Sequence, residues 1–320
     1  MQAVSFEACF QKRVSRFEID LSNSTLIQVL QSYQSHKRVN SPGYCNSYVV
    51  TSIRDIENTY DQEIMPDDVT DIFYAAFIDY LFSKGLMYST ISMYCGAIRT
   101  ALKWACKHRC RVSSTYDEFH VPNHEPFRLS LTPDEISHIA HFDVSTIKTR
   151  SQHKRTLELV RDAFVLQANL FQRYSDMRHI SADNFNNGIF TCVQQKTGNK
   201  AVVDIRRYSF TPDYAFYLLK KYNFSSPYKG NINNYNRHLH FLLSKIGGSF
   251  DNDVIFEEKR GDEVVKVVRK KWQVISSHCA RRSSITNAVK TAPTETEVRF
   301  CSGHTASKSD SFRRYVVDMR

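Results

Sequence analysis

The sequence predicts a mainly α-helical protein with a small antiparallel β-sheet, an α+β arrangement in which helices dominate. Only 10 of the 320 residues are glycine, well below the ~7 % of an average chain, which disfavours glycine-rich sandwiches and propellers. Apolar residues make up 42 % of the chain, enough for buried cores, and they recur mostly at helical spacing. Two short β-rich segments supply the sheet. The composition therefore excludes a disordered protein.

Four helices are predicted in the first part of the chain. Their apolar residues repeat at helical spacing over residues 25–35, 47–60, 67–84 and 88–107. The third has a helix-start signal in Pro66 and the two aspartates that follow it. This part of the chain is therefore expected to form a four-helix unit.

A segment without periodicity follows and contains two prolines and several polar residues, which is typical of a linker. We therefore predict a helical domain over residues 1–120, a linker over 121–131 and a second domain over 132–320. Thr132, Pro133 and Glu135 form a capping-box pattern that starts the first helix of the second domain.

The second domain is predicted to mix helices with two hairpins. Two β-rich runs, residues 188–195 and 201–205, flank a turn at residues 196–199, and a second hairpin turns at residues 260–262. Apolar spacing predicts the remaining helices over residues 155–174, 213–222, 233–246, 277–290 and 295–300.

The charge of the chain points to a polyanionic partner. The formal net charge is +10, and all of the excess lies after residue 120, because residues 1–120 have a net charge of −1 and residues 121–320 of +11. Within the nearly neutral first part, four basic residues recur every four positions in a helical run, which aligns them on one face. A solvated helix face would explain such a stripe, and so would contact with a phosphate backbone. These residues are Arg99, Lys103, Lys107 and Arg111.

The sequence also predicts a cytoplasmic protein. Its longest apolar stretch, residues 72–82, is interrupted by Asp79 and falls short of the ~20 residues that cross a bilayer. Glu7 and Arg13 interrupt the first segment, so no secretory signal is expected. The eight cysteines are widely spread and are expected to be reduced.

Four short segments, far apart in the sequence, carry candidate catalytic residues. Each segment, taken alone, is explained by an ordinary structural role: an ion pair, a solvated lysine in a turn, or a tyrosine that packs near a terminus. Their order and separation are far more specific than any one of them. The residues are Arg173 with Asp176, Lys196 in the first hairpin turn, His278 with Arg281 on one helix, and His304 with Tyr315.

This order resembles that of the tyrosine recombinases, the phage integrase family, and most of all the integrases of phages and conjugative elements. Residues 173–176 resemble the first arginine box, residues 195–200 the lysine hairpin, residues 278–282 the second box, and residues 303–305 with 312–315 the last. Residues 83–91 and 102–105 resemble the helical, SAM-like core-binding domain of the family. The resemblance therefore implies a core-binding domain followed by a tyrosine-recombinase catalytic domain.

The resemblance implies that Tyr315 is the nucleophile. A free tyrosine has a pKa of about 10, so nearby cations and a proton acceptor must assist it at neutral pH. Arg173 and Arg281 can each present a guanidinium fork to the non-bridging phosphate oxygens, which stabilises the charge of the transition state.

The remaining residues are assigned to proton transfer and support. The family implies that His278 and His304 donate to phosphate oxygens or relay the tyrosyl proton, and that Lys196 is the general acid for the leaving 5′-oxygen. Asp176 is expected to buttress the site. Ester exchange conserves bond energy, so no nucleotide cofactor is expected. No divalent metal is expected either, because two arginines supply the charge that Mg²⁺ provides in two-metal nucleases.

The expected function is site-specific recombination of DNA through a 3′-phosphotyrosine intermediate, as integration, excision or inversion of a mobile element. The expected partners are double-stranded DNA, a homotetramer on two duplexes and accessory DNA-bending proteins. The alternative is a regulator that binds specific DNA on the same fold without cleaving it. A metal-dependent nuclease is disfavoured because the basic half has no clustered acids in a motif context.

Some features depart from the family pattern or suggest a rival site. Gln172 stands where the family generally has leucine. Only five residues follow Tyr315, so the C-terminal docking segment of many relatives is expected to be short, supplied differently or missing from this sequence. Finger-like ligand pairs raise the possibility of zinc, but their nine-residue gap is shorter than the usual ~12, and packing is the favoured role. The pairs are Cys106 with Cys110 and His120 with His124.

Overall fold

The structure, a computed structural model, describes residues 19–41, 43–118, 127–260, 263–304, 312–313 and 315–316. The chain divides into two compact units: residues 1–126 with 257–266, and residues 127–256 with 267–320. Most of the predicted linker lies outside the described residues, so the domain boundaries drawn from the sequence stay a prediction. Among the described helices, none is both long enough and apolar enough to cross a membrane.

The first unit contains the four predicted helices. They are α1 (Leu26–Asn40), α2 (Ser47–Tyr60), α3 (Asp71–Ser83) and α4 (Tyr88–Ala105). Each helix buries apolar side chains in one shared core. Full burial of a leucine, isoleucine, valine or phenylalanine side chain stabilises a fold by about 1.5–3 kcal/mol.

The third helix begins later than the sequence predicts. Pro66–Asp68 form a separate 3-10 turn, closed by the Asp68 carboxylate, which accepts the Met65 amide at 2.8 Å. Thr70 then caps α3 by accepting the Phe73 amide at 3.4 Å. The acidic helix-start signal therefore belongs to a turn that precedes the helix.

Each helix that the sequence predicts in the second unit is present with bounds shifted by a few residues, and three four-residue helices occur that the sequence did not predict. Together the helices are α5 (Pro133–His141), α6 (Ser151–Leu170), α7 (Tyr174–Met177), α8 (Ile205–Tyr208), α9 (Pro212–Lys221), α10 (Ile232–Ile246), α11 (Lys271–Val274), α12 (Ser277–Thr291) and α13 (Glu295–Ser302). The predicted capping box of α5 is confirmed: Thr132 Oγ1 accepts the Glu135 amide at 3.2 Å, and Glu135 Oε2 accepts the Thr132 amide at 3.1 Å.

Two small sheets complete the second part of the chain. The first has the order β1 (Phe185–Asn186), β2 (Ile189–Val193), β3 (Lys200–Asp204), with both pairs antiparallel. The second pairs β4 (Asp253–Arg260) with β5 (Glu263–Lys270). A mainly helical fold with small antiparallel sheets is thus confirmed.

The central element of the second unit is α6, which packs against α5, α9, α10 and α12. Its second half is buried on every side, because neighbouring helices cover it all round. The helix was predicted to reach residue 174 but ends at Leu170, since Phe171 adopts a left-handed conformation with φ 61°. This turn redirects the chain so that Arg173 lies immediately before the short helix α7.

Candidate active site

Arg173 and Asp176 lie where α6 gives way to α7. The Arg173 Nη1 donates to the Gln194 side-chain oxygen at 2.7 Å and lies 3.9 Å from Asp176 Oδ2. Asp176 is buried, and its other oxygen accepts the Gln195 amide at 2.9 Å. The carboxylate therefore ties the first arginine segment to the hairpin that carries Lys196.

Lys196 occupies an exposed position in the turn between β2 and β3. The turn is closed by the Gly198 amide, which donates to the Gln194 carbonyl at 2.8 Å, and Gly198 has φ 68°, a conformation that glycine adopts without strain. The Asn199 side chain donates to the Gly303 carbonyl at 3.1 Å. The lysine is thus carried by a turn that contacts the His304 segment.

Helix α12 supplies His278 and Arg281, three residues apart and so on one face. Arg281 is completely buried, and its Nη1 and Nη2 donate to the carbonyls of Phe171 and Ser302, each at 2.6 Å. One guanidinium therefore joins the end of α6 to the end of α13, using two of its five N–H donors.

The end of α13 and the chain near residue 315 complete the cluster. Gly303 ends α13 with φ 62°, and the next residue, His304, hydrogen-bonds through Nδ1 to Ser302 Oγ at 2.8 Å. The Tyr315 ring centre lies 5.1 Å from that of His278 and 4.9 Å from that of His304.

Two further contacts hold Tyr315 in this position. The Arg281 guanidinium lies 5.3 Å from the centre of the Tyr315 ring. The backbone carbonyl of Tyr315 accepts a hydrogen bond from the Thr286 hydroxyl of α12 at 2.8 Å. The structure therefore brings residues from four distant segments of the sequence into one cluster, in which Tyr315 contacts both histidines and one arginine.

The cluster is strongly cationic. Burial, followed by the charges of Arg282, Arg281, Arg173 and Lys196, lowers the pKa of His278 to about 4. Burial, with Arg173 as the next cause, also lowers the pKa of Arg281 to about 10. His278 is therefore a neutral imidazole at neutral pH, and the repulsion among the cations would be relieved by a bound anion.

The basic stripe of the first unit is only partly helical. Arg99 and Lys103 lie on α4, but that helix ends at Ala105 and Lys107 belongs to a 3-10 turn. Arg109, with φ 62°, then breaks the helical path. Arg111 follows the break and pairs with Asp67 at 3.4 Å, so it does not continue the straight row that its spacing suggested.

No described residues form a group of three or more potential metal ligands. Cys106 is exposed and Cys110 is buried, both as free thiols. The other proposed zinc ligands, His120 and His124, lie outside the described residues.

Sequence reasoning missed two residues that contact the cluster. Gln194 is fully buried and contacts Arg173, and the Ser302 carbonyl accepts both Arg281 and Gln194. The sequence does offer one indication for Gln194, a polar residue that lies between an apolar strand and the lysine of the motif. A backbone carbonyl leaves no signal in the sequence, so the role of Ser302 could not be found there.

Comparison with known proteins gives the class to which this arrangement corresponds. Residues 25–121 match the family model of the phage integrase SAM-like domain. No curated protein matches the chain significantly.

Solved structures match nearly the whole chain. A lambda integrase dimer bound to a COC' core site has a TM-score of 0.61 at 17 % identity, covering 92 % of this chain and 96 % of that one. A lambda integrase tetramer bound to a Holliday junction has a TM-score of 0.58 at 15 % identity, covering 97 % and 84 %. The Tn1549 transposon integrase in complex with a circular intermediate DNA has a TM-score of 0.58 at 14 % identity, covering 92 % and 95 %.

The chain therefore has the fold of the tyrosine-recombinase integrases, with a SAM-like helical domain followed by a catalytic-type domain. The fold that the resemblance of the sequence motifs implied is therefore confirmed.

Proposed function

We propose that this protein is a site-specific DNA recombinase that cuts and rejoins DNA through a 3′-phosphotyrosine at Tyr315. The phenolic oxygen attacks the scissile phosphate, a new phosphorus–oxygen bond forms, and the bond to the 5′-oxygen breaks. That oxygen leaves with a proton as a 5′-hydroxyl. A 5′-hydroxyl of another strand then attacks the phosphotyrosine and releases the enzyme.

The observation that carries the proposal is the position of Tyr315 between two histidine rings and against a buried arginine. A protein that only binds DNA has no use for a phenol held among proton-transfer groups and phosphate-binding groups. The mutual repulsion of the cations around His278 also favours a substrate that brings negative charge into the cluster.

The roles follow from geometry and ionisation. Arg281, with donors remaining after its two carbonyl bonds, and Arg173 bind the non-bridging oxygens and stabilise the transition state. His278, neutral at physiological pH because its pKa is about 4, accepts the phenolic proton or hydrogen-bonds the phosphate. Lys196 protonates the leaving oxygen from its turn, and His304 donates to the phosphate.

The proposal extends to the wider reaction. Exchange of strands between two duplexes needs four cuts, which implies a homotetramer on DNA in the cytoplasm, and accessory DNA-bending proteins are expected to assist. Exchange of one ester for another conserves bond energy, so no nucleotide cofactor takes part. The biological outcome is integration, excision or inversion of a mobile element.

A trapping experiment tests the proposed chemistry. The probe is a pool of randomised duplexes with a nick beside the randomised region, so that cleavage loses a short fragment and cannot be reversed. In EDTA we expect a denaturant-resistant protein–DNA adduct that Tyr315→Phe abolishes and that Tyr217→Phe, at an exposed tyrosine, leaves unchanged. An adduct that persists in Tyr315→Phe would falsify the assignment, and sequence-specific binding without an adduct would favour the regulator.

A further inference from the structure

Gln194 makes hydrogen bonds to several segments of the candidate site. Its side chain is fully buried. The side-chain oxygen accepts Arg173 Nη1 at 2.7 Å and the Thr197 hydroxyl at 3.2 Å. The side-chain nitrogen donates to the Ser302 carbonyl at 2.8 Å. A single amide therefore links the first arginine, the lysine turn and the end of α13.

The neighbouring side chain of Gln172 extends this network. Gln172 is also fully buried, and its oxygen accepts the Gln194 nitrogen at 3.4 Å and the Cys192 thiol at 3.3 Å. Its own nitrogen donates to the Leu170 carbonyl at 2.7 Å. Gln172, the residue beside Arg173 that departs from the family pattern, therefore helps to orient the Gln194 amide.

The contact with α13 is tight enough to fix the position of the amide. A Cβ atom at Gly303 would lie 2.8 Å from both the side-chain carbon and the side-chain nitrogen of Gln194, closer than real side chains approach. The amide is thus enclosed on one side by Gly303 and held on the others by hydrogen bonds.

We propose that Gln194 is a positioning residue that holds the Arg173 guanidinium in the orientation that binds the scissile phosphate. The planar guanidinium rotates freely unless a fixed acceptor holds it, and the buried oxygen at 2.7 Å is such an acceptor. The positions of Ser302, Thr197 and Gln172 fix the amide and hence the arginine. This inference rests on the proposed function, because it concerns the same phosphate.

The first test replaces the amide by an apolar side chain of similar length. In Gln194→Met we expect the single-turnover rate of adduct formation at saturating DNA to fall about 100-fold, as expected for a misplaced catalytic group. The affinity for DNA should change little, because the substitution removes no basic side chain. Gln152→Met is the matched control, since Gln152 is exposed at the opposite end of α6 from Arg173, and its rate should stay within about twofold of the wild type.

A double-mutant cycle separates positioning from general destabilisation. If Gln194 acts through Arg173, then Gln194→Met should cost little further rate in an Arg173→Lys background, where the guanidinium fork is already absent. A substrate with sulfur at the bridging 5′ position keeps the slow variants measurable, because a thiolate leaves without a proton donor. The proposal would be overturned if Gln194→Met lowered the rate of adduct formation equally with Arg173 and with Arg173→Lys. A wild-type rate in Gln194→Met would also overturn it.

A second variant guards against failure to fold. Gln194→Glu has the same shape, but its carboxylate neutralises Arg173 and cannot donate to Ser302, so a loss of rate without a loss of DNA affinity is again expected. Wild-type rates in this variant would also contradict positioning. Absence of a Tyr315-dependent adduct in the wild type would instead refute the proposed function, so the two failures are distinguishable.

Discussion

Burial, together with the charges of neighbouring arginines and of Lys196, determines the ionisation state of His278. Its imidazole lies against the Tyr315 ring in a site where protonation would add a further positive charge to those already present. Burial contributes most to the lowered pKa of about 4, so the histidine is neutral at neutral pH. The same shift links the ionisation of this one side chain to the stability of the protein.

We expect this link to appear as acid sensitivity that His278→Gln removes. The folded-state pKa of about 4 lies below the unfolded value of about 6.5, so the unfolded chain takes up the proton first as the pH falls. Stability is unaffected above about pH 6.5 and is lost between about pH 6.5 and 4, by on the order of 3 kcal/mol. Urea unfolding at both ends of this range measures the loss.

The control for this prediction is His179→Gln, at an exposed histidine, which should lose as much free energy of unfolding on acidification as the wild type. An equal loss in His278→Gln and the wild type would show that the ionisation of His278 is not coupled to folding.

Arg281 is expected to contribute to stability as well as to chemistry. It joins the carbonyls of Phe171 and Ser302, and a lysine ammonium does not reproduce the planar fork that reaches both. Arg281→Lys should therefore leave one buried carbonyl unsatisfied and lower the free energy of unfolding by about 2 kcal/mol. Urea unfolding measures this, and the adjacent Arg282→Lys, which affects one carbonyl contact at 3.2 Å, should cost less.

At the scale of elements, the end of α13 combines a left-handed backbone conformation with close packing. Gly303 and Gly85 both have positive φ, 62° and 74°, but only Gly303 has side-chain atoms within contact distance of an added Cβ. Gly85→Ala should therefore cost only the conformational strain, about 1 kcal/mol, whereas Gly303→Ala should cost at least about 1 kcal/mol more through overpacking. Thermal or urea unfolding compares the two, and equal losses would contradict the close approach of Gln194.

Two members of the basic stripe, Lys103 and Arg111, are expected to contribute differently to DNA binding. Lys103 is exposed on α4, whereas Arg111 pairs with Asp67 at 3.4 Å. If the stripe contacts phosphates, Lys103→Gln should reduce the slope of log affinity against log salt by about 1. Arg111→Gln should have a smaller effect because an acid already neutralises part of its charge. Equal slopes for Lys103→Gln and the wild type would support a solvated helix face.

Periodicity predicted the existence of most elements but not the breaks between them. Apolar spacing found α2 at its observed bounds, whereas it extended the helix before Arg173 to residue 174. The left-handed Phe171 that ends α6 is stabilised by tertiary contact, since its carbonyl accepts Arg281 from more than a hundred residues away. No local signal marks such a break. For the same reason motif order located the candidate site residues, but not the buried amide of Gln194 that links them.

At the scale of the whole molecule, the second unit contains every residue assigned to the reaction. Arg173, Lys196, His278, His304 and Tyr315 all belong to one compact unit of one chain. The contacts of Tyr315 with His278 and His304 need no second copy. This arrangement predicts that the tyrosine attacks the phosphate bound by its own chain, even when several chains assemble on DNA.

A mixing experiment tests attack within one chain. Tyr315→Phe lacks the nucleophile and Arg173→Ala lacks a phosphate-binding arginine, so neither alone should form an adduct on the nicked duplex. If each chain uses its own tyrosine, a mixture of the two variants should also form none, because no chain in it has a complete set. If tyrosines were exchanged between chains, the mixture would contain complete sites, and adduct attached to the Arg173→Ala chain would contradict the prediction. Wild-type protein diluted with Tyr315→Phe is the control that shows mixed assemblies to be active.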